Sequence, residues 1–163
     1  MQIRAMTDLP IWWAEDYVIS SDNWNFQAAA MASMLYHELR AGSAVSFRWQ
    51  PQGDYHDPFR GNNQALLGDT REPGGGQPFP NYFVYRAINE YFPRGTPLVT
   101  TRVSSPDVEV LASPTNMLLI NKRDAVVRAI VNRTEFMLAP YDVVVLPIPG
   151  AGQPGGARSA ADG

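Results

Sequence analysis

The sequence predicts a mixed α/β fold in two parts. Residues 1–93 read as strand, helix, strand, long loop and helix, and residues 94–148 read as short strands separated by tight turns. Two observations carry this division. Apolar residues recur at helical spacing only in the first part, whereas the second is rich in β-branched stretches of about five residues, each bounded by turn formers. A tail of Gly, Ala and Pro, residues 149–163, follows and is expected to be disordered.

Leu9 to Ala14 is a short apolar run behind Asp8, and its isoleucine and two tryptophans favour strand. Ser20-Ser21-Asp22-Asn23 is a run of four capping residues ahead of a helix over 24–40. Trp24, Ala28, Met31, Leu35 and Leu39 lie on one face of that helix, and Gly42 supplies its stop. Ala44 to Trp49 is the second strand, and Asn81 to Tyr91 the second helix, ending before Pro93. Between them residues 50–80, with five prolines, form a loop far longer than the usual 4–6 residues, roughly, and loops of that length are commonly lids or binding walls. Within it Gly74-Gly75-Gly76 reads as a flexible hinge, since no Lys-Ser/Thr follows to make a phosphate loop. Strands are then expected at 98–103, 108–112, 116–121, 125–132 and 142–146, forming a small antiparallel sheet or sandwich. Two strand–helix units cannot close a barrel or a doubly wound sheet by themselves, so the first part requires further strands from elsewhere.

Composition excludes several functions. The chain is 45% hydrophobic and 18% charged, enough apolar material for a core. A net charge of −3 provides no basic field for nucleic acid, and no stretch approaches the ~20 apolar residues of a membrane span. With no cysteine, disulfides, thiolate nucleophiles and cysteine metal sites are all absent. The opening residues are too polar for a signal peptide, and no compartment follows from the sequence. Asn132-Arg133-Thr134 matches a glycosylation sequon, a pattern frequent by chance.

Among sixteen carboxylates, position singles out Glu15. It ends the apolar strand Ile11-Trp12-Trp13-Ala14-Glu15-Asp16, and alternation would put Ile11, Trp13 and Glu15 on one face with Asp16 on the other. A carboxylate beside Trp13 would be partly desolvated; alternatively, Glu15 simply ends the strand at the surface. Trp49 closes the second strand, where an indole can lie under the apolar face of a sugar ring or pack in the core. Tyr17 flanks the Glu15 loop. His56, in Asp54-Tyr55-His56-Asp57, is placed for a sugar hydroxyl rather than a metal, because no zinc spacing is present. His37, mid-helix, reads as a packing or surface residue.

Leu9-Pro10-Ile11-Trp12-Trp13-Ala14-Glu15-Asp16-Tyr17 resembles strand seven of the retaining (β/α)8 glycoside hydrolases, and Gly42-Ser43-Ala44-Val45-Ser46-Phe47-Arg48-Trp49 resembles their strand eight. Asn81 to Pro93 looks like the last barrel helix, and Gly95 to Leu146 like the small β-domain beside such barrels. The resemblance spans residues 8–147. It implies an incomplete C-terminal part of a (β/α)8 TIM barrel followed by a small antiparallel β-domain. It also implies glycosidic hydrolysis with retention, Glu15 being the nucleophile, and Trp49, Trp13, Tyr17 and His56 contacting a carbohydrate substrate. No metal or other cofactor is implied. The acid/base partner belongs to strand four of the family, so the N-terminal barrel segment is implied as a missing partner and the chain alone is expected to be inactive. The competing expectation is a non-catalytic carbohydrate-binding or structural β-module, in which Trp12, Trp13 and Trp49 are core and Glu15 is incidental.

Overall fold

A computed structural model describes residues 5–16, 18, 21–48, 51–53, 65–131 and 133–148. The tail 149–163, the centre of the long loop, Ser20 and Asn132 of the sequon lie outside the described residues. Among those described, the order is β1 (Ile11–Asp16), α1 (Trp24–Arg40), β2 (Ser43–Arg48), α2 (Pro80–Tyr91), β3 (Val108–Ala112), β4 (Asn116–Asn121), β5 (Val127–Val131), β6 (Thr134–Leu138) and β7 (Val143–Pro147).

The capping run resolves to Asn23. Its Oδ1 accepts the Phe26 amide at 3.0 Å, one of the helix's otherwise unpaired donors. Gly42, at φ 76°, takes the left-handed conformation that ends α1. At α2 no side chain caps the helix. Pro80 opens it, with φ already fixed and no amide to satisfy.

Among the described residues three small sheets form. β1 and β2 pair in parallel, β3-β4-β7 is antiparallel, and β5-β6 is an antiparallel hairpin. The three-stranded sheet is the middle layer. Leu111, Leu118 and Ile120 face the helices and join Ala28, Met31, Leu35 and Val84 in one core. Val108, Val110, Ala112, Met117 and Leu119 point the other way, onto Ala129 and Leu138 of the hairpin. Covered on both faces, β4 carries a continuous apolar run from Met117 to Ile120 rather than an alternating one, and β3 is interrupted only by Glu109.

This architecture corrects the expected barrel. The described chain is a small mixed α/β unit with two helices and three separate sheets. Its parallel component stops at two strands. The apolar stripes of the helices are covered by the antiparallel sheet, so no cylinder of parallel strands organises the packing.

Two strand expectations also change. Residues 98–103 are not a strand: Val99 N–H reaches Ala112 O at 2.9 Å, but at the next register position the Thr101 hydroxyl, not a backbone amide, donates to Val110 O. A side chain in place of a ladder bond holds the segment off the edge of β3. The run expected at 125–132 is only half of a hairpin. β6 follows after a two-residue connection, with Val131 paired to Thr134 and Arg133 at φ 69°. The sequence between the two strands carries no glycine, the residue that usually announces such a hairpin.

The described parts of the 50–80 loop are folded. Leu67 bridges Gln52 on one side and Pro78 on the other. Asp69 is fully buried, and its carboxylate accepts from Arg71 Nη2 at 2.6 Å, Arg71 Nε at 2.9 Å and Gln52 Nε2 at 3.1 Å. The Arg71 bonds hold the Asp69 carboxyl below the usual carboxylate range. Gly75 is no hinge, since a Cβ there would lie 1.6 Å from Asp69 O, a backbone atom that cannot yield. Gly75→Ala is therefore expected to open the 69–76 turn at a cost on the order of 1–3 kcal/mol or more. Hydrogen exchange reads this directly, at the Gly68 amide bonded to Gln77 O and the Gly76 amide bonded to Gly68 O. Unchanged protection at both would rule the account out.

Candidate functional site

The parallel pairing of β1 and β2 brings their C-terminal ends to the same edge, with Asp16 opposite Arg48. The register breaks between Trp13 and Asp16, so strict alternation fails there. Ala14 and Glu15 are both exposed, and Asp16, expected to point elsewhere, turns in and is 3% exposed. Glu15 thus stands at the end of β1 in solvent, immediately before a buried carboxylate. Trp13 is half-buried, its indole N–H donating to Ser43 Oγ at 2.6 Å. Trp49, Tyr17 and His56 lie outside the described residues, so the expected convergence of Glu15 and Trp49 does too. Trp12 is not core. It is 63% exposed, edge-on to Phe47, itself 52% exposed, on the open face of the pair.

The group that sequence reading passed over surrounds Asp16. Its carboxylate accepts from Ser46 Oγ of β2 and from the Tyr85 hydroxyl of α2, the latter at 2.9 and 3.0 Å from the two oxygens. Arg48 donates to the Asp16 backbone oxygen at 2.9 Å and stands 3.7 Å from Oδ1, with only 4% of its side chain exposed. Burial pulls the Arg48 guanidinium below its usual value, and Asp16 opposes this. Burial, then the negative charge of Asp16, pushes the Tyr85 hydroxyl up, so it stays protonated and donates. Glu38 of α1 completes the cluster: it is buried, and burial raises its carboxyl above the ordinary glutamate range. One sequence signal did point here, namely an arginine at the end of an apolar strand, which has to find an anion if the strand is covered.

Chemically, the cluster braces. Three side chains from two elements, β2 and α2, converge on one carboxylate and fix the backbone of the residue next to Glu15. A second polar knot lies away from this end. His37 Nε2 and Lys122 Nζ approach Glu109 Oε1 at 3.0 and 3.2 Å, tying α1 to the sheet. No group of three or more possible metal ligands is assembled among the described residues. Nor is any helix there long and apolar enough to cross a membrane. A cleft of about 260 Å³ lies between the 99–105 segment, β3 and β5, and neither Glu15 nor any other described residue of β1 or β2 lines it. Set against known proteins, the chain matches no family model and no curated sequence.

Proposed function

We propose that this chain carries the nucleophile of a retaining glycoside hydrolase and that a second carboxylate, from outside the chain, is the acid/base. The reading rests on the resemblance of the two strand sequences. The observation that carries it furthest is the placement of Glu15: exposed at the C-terminal end of a parallel strand whose next residue is locked by β2 and α2. A nucleophilic carboxylate needs that combination of access and fixed backbone. Glu15 would attack the anomeric carbon as the glycosidic C–O bond breaks, the leaving oxygen taking its proton from the absent acid. Water activated by the same group would then release the sugar with net retention, which requires the two carboxyl groups about 5–5.5 Å apart. Trp13, Tyr17, Trp49 and His56 would contact the sugar, and the 50–80 loop would wall the cleft.

One observation favours a second reading, that of a non-catalytic carbohydrate binder. Trp12 and Phe47 expose an aromatic ledge on which a sugar face can stack without reacting.

The isolated chain is expected to leave aryl glycosides intact, and robust turnover by it would overturn the missing-partner part of the proposal. In a protein that unites the chain with its second carboxylate, Glu15→Ala is expected to lower kcat/KM on the order of a thousandfold or more. Added azide should restore turnover of an activated aryl glycoside and yield the inverted glycosyl azide. Full activity in Glu15→Ala sinks the assignment. Oligosaccharide binding that survives Glu15→Ala but is lost in Trp12→Ala supports the second reading instead.

A further inference from the structure

The cleft beside β5 has the outline of a missing strand, and the glycosidase reading makes no use of it. β3 lines it with alternate residues, Val108, Val110 and Ala112, and so turns a side-chain face toward it. β5 lines it with the consecutive run Arg128 to Val131, and the opposite wall is the unbroken run 99–105. Successive side chains of an extended chain point to opposite faces, so consecutive residues border one space only along a backbone edge. The cleft is therefore a slot with an apolar floor between two backbone edges. Both edges carry unused hydrogen-bonding groups. In an antiparallel ladder every second residue exchanges its bonds with the partner strand. The two-residue turn makes Val131–Thr134 one such pair, and Ala129 and Val127 continue the series. The N–H and C=O groups of Arg128 and Ile130 thus point away from β6, and no other described backbone meets them. On the opposite wall no backbone group from Thr100 to Ser104 is bonded to a described residue.

Charge and size select the occupant. Among the described residues the charged groups lining the cleft are both cations, Arg102 and Arg128, in a chain of net charge −3. Arg102 has no ion pair among the described residues. Arg128 reaches Glu135 at 3.6 Å, but both side chains are more than half exposed, and such a pair is weak. The chain's own tail is a poor match. Residues 149–163 follow Ile148, which lines the cleft, but they hold no aromatic or β-branched residue to favour a strand. At about 260 Å³ the slot also falls just below the roughly 300–1,000 Å³ usual for small-molecule sites.

We infer that this cleft binds an extended segment of a partner protein in which apolar and acidic residues alternate, and that the segment adds antiparallel to β5 as a third strand of that layer. A free strand edge is what such a segment pairs with. Residues directly opposite in an antiparallel pair share a face. The apolar side chains of the added strand then lie over Val108, Val110 and Ala112, on the same side as those of Ala129 and Val131. Its acidic side chains stand outward beside Arg128, with Arg102 across the slot. These outward residues are also the ones that exchange backbone bonds with Arg128 and Ile130.

The experiment uses the whole chain and the blocked peptide acetyl-Val-Glu-Val-Glu-Val-amide. In an NMR titration the amides of Arg102, Arg128 and Ile130 are expected to shift with a Kd below about 1 mM, and hydrogen exchange at Arg128 and Ile130 to slow. The same peptide N-methylated at both Glu residues, or carrying Lys in place of Glu, is expected to bind about tenfold more weakly or worse. Arg128→Gln should weaken the Glu peptide roughly two- to fivefold. Equal binding of the methylated peptide would overturn strand addition, and equal binding of the Lys peptide would overturn the acidic partner. No shift at these three residues with about 1 mM peptide would overturn the site itself. Shifts there that grow with chain concentration alone would give the slot to a second copy, and shifts on truncation after Ile148 would give it to the tail; either overturns the partner. The peptide comparison is made on the native chain, so a poorly folding variant does not leave the question open.

Discussion

Asp16→Ala is expected to destabilise the chain by about 3–5 kcal/mol, because it takes a carboxylate away from a buried arginine. Arg48 would keep its bond to the residue 16 backbone oxygen but lose the carboxylate that stands 3.7 Å from it, while almost none of its side chain reaches water. Tyr85 and Ser46 would lose their acceptor at the same moment, adding the cost of unmade buried bonds. Urea unfolding near neutral pH measures the loss. A loss below about 1 kcal/mol would mean that Arg48 escapes to solvent at little cost, as surface pairs permit. The companion Asp16→Leu/Arg48→Met removes both charges with apolar groups and is expected to recover much of the loss, since a buried pair is worth little against a packed apolar replacement. Recovery separates the penalty of an orphaned charge from simple loss of packing, which the double variant would only worsen.

Glu15 and Asp16 are adjacent acids with opposite fates, and the difference was legible only in part. Strand and helix types in 9–49 follow from local chemistry: β-branched and aromatic residues, an Asn cap, a glycine stop. The expected and observed bounds of α1 coincide accordingly. What alternation could not supply is the irregular register at Ala14 and Glu15. Such a break depends on what Asp16 finds across the sheet and on α2, some seventy residues away, at Tyr85. Long-range polar pairing leaves no periodic trace. The same limit explains Gly75, whose constraint is the Asp69 carbonyl, and Thr101, whose hydroxyl displaces a ladder bond. The barrel expectation failed for a related reason. Order of elements specifies which faces are apolar but not which partner covers them, and here the antiparallel sheet lies beneath the helices. Of the expected site, Glu15 and Trp13 can be placed and the rest lies outside the described residues, while the bracing residues Asp16, Ser46, Arg48, Tyr85 and Glu38 were missed because each looks like an ordinary polar residue until the fold assembles them.

The second large effect is expected from Leu118→Ala. Leu118 is fully buried in the central strand β4, between β3 and β7, on the side that meets the helices. Truncation removes about three methyl-sized groups from a site whose surroundings are held by Leu111 and Ile120 beside it and by Met31 and Leu35 of α1 in the same core. A strand paired on both edges cannot move in to fill the void, so the cost should fall toward the upper part of the range of about 2.7–5 kcal/mol for such changes. Met117 or Leu119 truncated to Ala would open the other face, toward the hairpin. Comparing the two faces tests whether the layers stand or fall together. If the sheet couples them, Leu118→Ala lowers protection equally in α1 and in β5–β6, because both cores hang on the same three strands. Loss confined to α1 and α2 would mean that the hairpin and sheet persist without the helices, and the β1–β2 end that holds Glu15 would then be anchored only through α1, α2 and the Asp16 cluster.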